Sequence, residues 1–220
     1  GIEQFNIDVD RDSSLTSISS TNNTLEVINV ENIADNNLAA DGNLIVGNIT
    51  DVRVFDASTM DGDVTLGADL TGNVVAKYLD LQDDATDASA DNSGAQQYSD
   101  VVDAEFSYDL GAGNDTLALS LSQNNFWAFG DATREDFVLE INGGAGNDSL
   151  TTVIGDGTGV VGENWYENQV EVNALTVNAD AGDDTITSTG SGNWTINAGS
   201  GDDTVYTNND GAQSIADAPS

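Results

Sequence analysis

The sequence predicts an all-β chain in which short strands, joined by tight turns rich in glycine and aspartate, stack as a β-solenoid. Three observations predict it. One turn-plus-strand pattern recurs in a fixed frame along the C-terminal half, and in-frame repeats mark a stacked-coil fold. Elsewhere apolar residues recur two apart over short runs, the period of a half-buried strand. The 220 residues include 23 Gly and one Pro, a balance that suits many tight turns, and the 38% hydrophobic content is too high for a disordered chain.

Residues 1–82 read as a β-rich region, either a degenerate solenoid or sandwich-like. Phe5-Asn6-Ile7-Asp8-Val9 and Leu25-Glu26-Val27-Ile28-Asn29-Val30 alternate with strand period, and Ser/Thr/Asn runs between them suit turns. Leu44-Ile45-Val46, Val52-Arg53-Val54-Phe55 and Val64-Thr65-Leu66 are β-branched or apolar and bounded by Gly, Asn or Asp. Phe55 to Val64 aligns without gaps on Ile196 to Val205, which predicts a coil that has lost its turn glycines and a solenoid that begins well before residue 100. Residues 83–100 are acidic and nearly free of large apolar side chains, and read as an exposed loop or boundary. Residues 101–207 carry the clear repeats. Residues 208–220 are expected to be a frayed polar tail.

The repeat is complete at Gly143-Gly144-Ala145-Gly146-Asn147-Asp148-Ser149-Leu150-Thr151. Partial copies run from Leu110 to Ala118, Ala179 to Thr187 and Ala198 to Tyr206. A further unit, Thr189 to Asn197, is in frame with Trp194 at the aspartate position. The large apolar residues of the three C-terminal units, Ile186, Ile196 and Val205, should point inward. The framed aspartates are Asp115, Asp148, Asp184 and Asp203, at separations of 33, 36 and 19 residues. The last separation is one coil; the first two are either two coils or one coil with an insertion.

These nonapeptides resemble the repeats of RTX-type calcium-binding proteins, fully at Gly143 to Thr151 and with substitutions elsewhere. Leu110 replaces the first Gly, Ala179-Asp180 the first two, and Ala198 the first. The unit at 56–66 is similar to coils of RTX-type bacterial surface-layer proteins. The resemblance implies a parallel β-roll of about 18 residues per coil with Ca2+ in its turns. It also implies a secreted bacterial surface protein: surface layer, adhesin or extracellular filament.

Turn chemistry points to the same ion. Glycines turn the loop within few residues and aim its carbonyls inward, and a framed aspartate adds a carboxylate. Calcium takes six to eight oxygens. One turn cannot supply them, but two turns stacked about 4.8 Å apart can. The candidate metal ligands are Asp115, Asp148, Asp184 and Asp203, then Asn114, Asn147, Asp183 and Asp202. The turn glycines Gly111, Gly113, Gly144, Gly146, Gly182, Gly199 and Gly201 complete the set. The alternative for the aspartates is an Asx-turn role, bonding their own backbone.

Composition excludes several function classes. Against 39 acidic residues, 30 of them Asp, stand Arg11, Arg53, Lys77 and Arg134, for a formal charge of -35. Nucleic acid finds no basic patch to meet its phosphates. With no Cys and no His, disulfides, thiolate sites and the usual bases of nucleophilic catalysis are missing, so a catalytic role is not expected. No apolar run reaches the roughly 18 residues that span a bilayer. A first residue of Gly is read as a processed product or fragment. The expected function is a calcium-stabilised structural module that folds outside the cell and self-associates or joins neighbouring domains of a larger surface protein. The alternative is a carbohydrate- or cell-binding accessory module of a secreted enzyme, with Trp127, Trp165 and Trp194 as a glycan platform.

Overall fold

The structure, a computed structural model, describes residues 1–33, 42–71, 104–121, 137–154, 174–190, 194–209 and 213–218. It is an all-β parallel solenoid of two sheets, and the chain alternates between them. The first coil is β1 (Gln4–Val9) and β2 (Ser13–Leu15), and the second is β3 (Val27–Asn32) and β4 (Leu44–Thr50). Then come β5 (Val54–Thr59) with β6 (Val64–Leu70), β7 (Ala104–Asp109) with β8 (Thr116–Leu121), and β9 (Phe137–Asn142) with β10 (Ser149–Ile154). The sixth coil is β11 (Ala174–Asn178) and β12 (Thr185–Gly190), and the seventh is β13 (Trp194–Ser200) and β14 (Thr204–Asn209). A last strand, β15 (Gln213–Ala218), opens an eighth level. Odd strands form one sheet in the order β1-β3-β5-β7-β9-β11-β13-β15, and even strands the other, β14-β12-β10-β8-β6-β4-β2. Every pairing between consecutive strands of a sheet is parallel, as coil-on-coil stacking requires. Among the described residues the only helical element is a 3-10 turn at Thr21–Asn23.

Alternation decides which side chains fill the space between the sheets. In the odd sheet Ile28, Phe55, Tyr108, Ile141, Val177 and Ile196 stack in one register column, and all are buried. In the even sheet the matching column is Val46, Leu66, Leu117, Leu150, Ile186 and Val205. The three residues expected to point inward do so: Ile186 and Ile196 are buried and Val205 packs against the core. Tyr108 is fully buried, and its hydroxyl donates to the Val52 carbonyl (2.7 Å), which satisfies the phenol inside the core.

Sheet pairing settles how many coils the repeats span. Ala112 bridges Ala145, Ala145 bridges Ala181, and Ala181 bridges Ser200. Asp115, Asp148, Asp184 and Asp203 therefore sit on consecutive coils, and each of the three separations is one coil. Between these aspartates the extra length falls on one edge. Odd-to-even turns run 110–115, 143–148 and 179–184, equal in length, whereas even-to-odd connections run 71–103, 122–136, 155–173 and 191–193. The expected loop at 83–100 and the aromatic inserts with Trp127 and Trp165 lie outside the described residues.

Strands β1 to β6 belong to the same two sheets as the clear repeats, with β5 paired to β7 and β6 to β8. The ungapped alignment of this region is corrected at its end. Phe55 does share a column with Ile196, but Thr65 and not Asp63 falls level with Thr204. Ten positions separate Phe55 from Thr65 and eight separate Ile196 from Thr204, so the turn before β6 holds two extra residues. The frayed-tail expectation is also corrected: Thr204–Asn209 and Gln213–Ala218 are strands. An unpaired sheet edge offers main-chain donors and acceptors to any chain able to reach it, whatever its side chains.

Candidate metal centre

The constant edge gathers all the candidate ligands. Its turns need glycine for a steric reason as well as a conformational one. Gly146 has φ +129, and a Cβ there would overlap the Gly113 carbonyl oxygen of the coil below. Gly144 and Gly182 meet the carbonyls of Gly111 and Gly146 in the same way. Main-chain bonds lock the stacked turns together. The Ala145 N–H donates to the Gly111 carbonyl (3.1 Å) and the Gly113 N–H to the Ala145 carbonyl (2.7 Å), and the pattern repeats one coil on.

Two side-chain ladders flank these turns and run in opposite senses. In the first, each framed aspartate accepts at Oδ1 from the N–H one coil below. Val64 N–H donates to Asp115 (2.6 Å), Asp115 N–H to Asp148 (2.8 Å), Asp148 N–H to Asp184 (2.7 Å) and Asp184 N–H to Asp203 (2.9 Å). In the second, each residue one position earlier donates its N–H to the side chain one coil below. Asn147 bonds to Asn114 (3.0 Å), Asp183 to Asn147 (2.9 Å) and Asp202 to Asp183 (2.9 Å). This is a correction to the Asx-turn alternative: the bonds go to the neighbouring coil, not to the residue's own turn.

The second carboxylate oxygen is the telling atom. Oδ2 of Asp115, Asp148, Asp184 and Asp203 is buried, with no hydrogen-bond partner. An orphaned buried acceptor costs about 1–3 kcal/mol, and more when charged. Four of them would cost roughly 4–12 kcal/mol, against the about 5–15 kcal/mol that holds a whole domain folded. Such a row needs a proton or a cation. A Cβ built on Gly143 would lie 2.5 Å from Asp148 Oδ2 and 3.1 Å from the Ala179 carbonyl oxygen of the next coil. The bare Gly143 Cα thus leaves open a pocket lined by a carboxylate oxygen and a carbonyl oxygen from consecutive turns. An all-oxygen donor set from two turns fits a hard cation such as calcium. Among the described residues no three acidic side chains converge on one point, so main-chain carbonyls would complete any coordination shell.

Burial, with a smaller contribution from the charges of Asp148 and Asp63 on the neighbouring coils, pushes the Asp115 carboxyl up to about 7. Burial likewise raises Asp148 to about 7 and is the main cause of the upward shift at Asp184. The hydrogen bond from the coil below opposes each shift. These groups bind protons more tightly folded than unfolded, where a carboxyl titrates near 3.8. Their contribution to the stability of the ion-free chain is therefore full below pH 3.8 and lost as pH rises through about 7. Melting in chelator should give a falling Tm between pH 5 and pH 8; a rising Tm over that window contradicts the assignment.

Sequence reasoning missed three parts of this edge. The second ladder continues below the repeats through Asp63, Asn43 and Asp12, with Asn114 N–H donating to Asp63 (2.7 Å), Asp63 N–H to Asn43 (2.8 Å) and Asn43 N–H to Asp12 (3.1 Å). An amide column runs up the odd sheet: Asn178 Nδ2 donates to Asn142 Oδ1 (2.8 Å), Asn197 Nδ2 to Asn178 Oδ1 (2.6 Å), and Asn142 Nδ2 to Asp109 Oδ1. Its signal was in the sequence: Asp109, Asn142, Asn178 and Asn197 each stand six residues before a framed aspartate. On the opposite edge buried Asp51 accepts from Thr71 N–H (2.6 Å), Thr71 Oγ1 (2.8 Å) and Asn23 Nδ2 (3.0 Å), tying three coils together. Trp194, expected in an opposite turn and as part of a glycan platform, is a buried core residue of β13, level with Leu175.

The framed aspartates stop at the fourth coil. At the level of Asp115 the third, second and first coils carry Val64, Leu44 and Ser13. Comparisons with protein-family models, with curated proteins and with solved structures return no match.

Proposed function

We propose that the chain is a calcium-stabilised structural module of a secreted bacterial surface protein, non-enzymatic, that folds and assembles when calcium fills the turns of its fourth to seventh coils. The observation that carries this reading is the row of four buried, unpartnered Oδ2 atoms on consecutive coils. A cation between turns would answer the desolvation and the mutual repulsion of that row together. Sites of carboxylates and carbonyls in extracellular modules have Kd of about 10⁻⁴–10⁻³ M, so they fill outside cells and stay empty in cytosol. The charge of -35 acts in the same direction, since self-repulsion opposes folding until counter-ions bind. Among the described residues no helix is long and apolar enough to cross a membrane.

Asp148→Asn tests the reading by a change of sign. Asparagine keeps the Oδ1 acceptor for Asp115 N–H and removes a buried charge. In chelator the variant should melt higher than the parent at pH 8. In about 10 mM calcium it should melt lower, by about 1–3 kcal/mol of lost stabilisation. A shift of the same sign in both conditions counts against an ion at this position.

A further inference from the structure

We propose that β15 is a self-cap, and that the N-terminal coil of a second copy displaces it, so that copies stack head to tail in one register. This rests on the reading of the chain as an assembling structural module and names the surfaces and the partner.

The two ends of the solenoid are matched in hydrogen-bond polarity. In the second turn ladder every N–H donates to the side chain of the coil below. Among the described residues the lowest member of that ladder is Asp12, which carries an N–H, and the highest is Asp202, which carries a side-chain acceptor. The first coil of a second copy, set on β13 and β14, brings Asp12 level with Asp202 and Ser13 level with Asp203. The amide column behaves alike. It starts with Asn6, whose Oδ1 accepts from Asn29 Nδ2 (2.9 Å), and ends at Asn197. Asn6 of a second copy would continue it by placing Nδ2 on Asn197 Oδ1. At that level β15 has Ala216, so β15 interrupts the column.

Pairing geometry and charge favour the same exchange. β1 pairs with β3 over six unbroken positions, whereas β15 pairs with β13 across a register shift between Asn197 and Gly199. β1 carries Phe5, Ile7 and Val9 two apart, as β7 carries Phe106 and Tyr108, while Ile215 is the only large apolar residue in the sequence of β15. Phe5 and Leu15 of the first coil occupy inward columns yet are 40% and 36% exposed. Arg11, one of four basic residues in the chain, lies exposed in the first turn, its Nε 3.7 Å from Asp10 Oδ2. Stacking sets it against Asp202 and Asp203 of the copy below. An interface that joins one end to the other does not close on itself, so it yields an open filament.

A mixed-cysteine experiment reads the register directly, since the chain has no cysteine of its own. Asn6 and Asn197 lie six coils apart within one copy, roughly 29 Å at the spacing of stacked strands, and cannot pair internally. In the proposed stack they are neighbours about 4.8 Å apart, within disulfide range. Asn6→Cys and Asn197→Cys chains are mixed in millimolar calcium and oxidised. The expected result is a mixed disulfide dimer in excess over random pairing, with yield raised by deleting residues 210–220 and by Ile215→Pro, which weakens β15 without shortening the chain. Same-variant dimers at the random ratio, or no dimer, overturn the head-to-tail contact. A mixed dimer whose yield neither change raises overturns the capping role of β15. Calcium binding is read separately by titration of the parent chain, so failure of the ion reading and failure of the stacking contact are distinguishable.

Discussion

Removing calcium should melt the solenoid from one end. Amides in strands β7 to β14 are expected to exchange about tenfold to a hundredfold faster in chelator than in about 10 mM calcium, the change that loss of one ion held at 10 to 100 times its Kd produces. Amides of β3 and β4 should slow or quicken far less. The asymmetry follows from which side chains occupy one column. Asp115, Asp148, Asp184 and Asp203 fill it in the fourth to seventh coils, and Ser13, Leu44 and Val64 fill it below. The lower coils bury Ile28, Leu44, Ile49, Phe55 and Met60 and are tied across the other edge by fully bonded Asp51. Among their described residues no buried side-chain polar atom lacks a partner. Hydrogen exchange read by mass spectrometry distinguishes this from uniform acceleration along the chain, which would mean that the aspartate column does not set the ion dependence.

Gly146→Ala should be the most damaging single methyl. The residue sits at φ +129, where an L side chain is strained, and its Cβ would occupy the position of the Gly113 carbonyl oxygen. Relief requires the fifth coil to lift away from the fourth. That movement breaks the Gly113–Ala145 and Ala145–Gly111 main-chain bonds and the Asp115–Asp148 rung. Strain of about 1–3 kcal/mol and three bonds of about 1 kcal/mol each place the loss at roughly 4–6 kcal/mol. Serine at Ala145 serves as a control, because Ser200 already stands at the equivalent level and should cost little. Denaturant midpoints of the two variants in calcium test the contrast; equal midpoints would show that the turns are not packed as described.

What was legible in the sequence was local. The frame of Gly143 to Thr151 located the aspartates, and register pairing puts all four on one column. The number of coils was not legible, because insertions of different length on the opposite edge made one coil resemble two. The turn before β6 escaped for a related reason: two extra residues moved Val64 to the aspartate level, and an ungapped alignment cannot represent that. Trp194 stood in a motif frame that equates it with a ligand, yet its place in β13 turns it into the core, where strand alternation outranks motif position. The opposing ladders were invisible because each links residues 19 to 51 positions apart. β15 was hidden by a polar composition, since what recruits it is the open main-chain edge of β13.

The most direct test is a calcium titration of the ion-free 220-residue chain at pH 7.5, followed by calorimetry and by far-ultraviolet circular dichroism. Saturable binding accompanied by a gain of strand signal is the predicted result. A chain that binds no calcium up to 10 times the about 10⁻³ M upper range of extracellular sites, with strand signal unchanged by chelator, would contradict the central claim that cations answer the four buried aspartate oxygens.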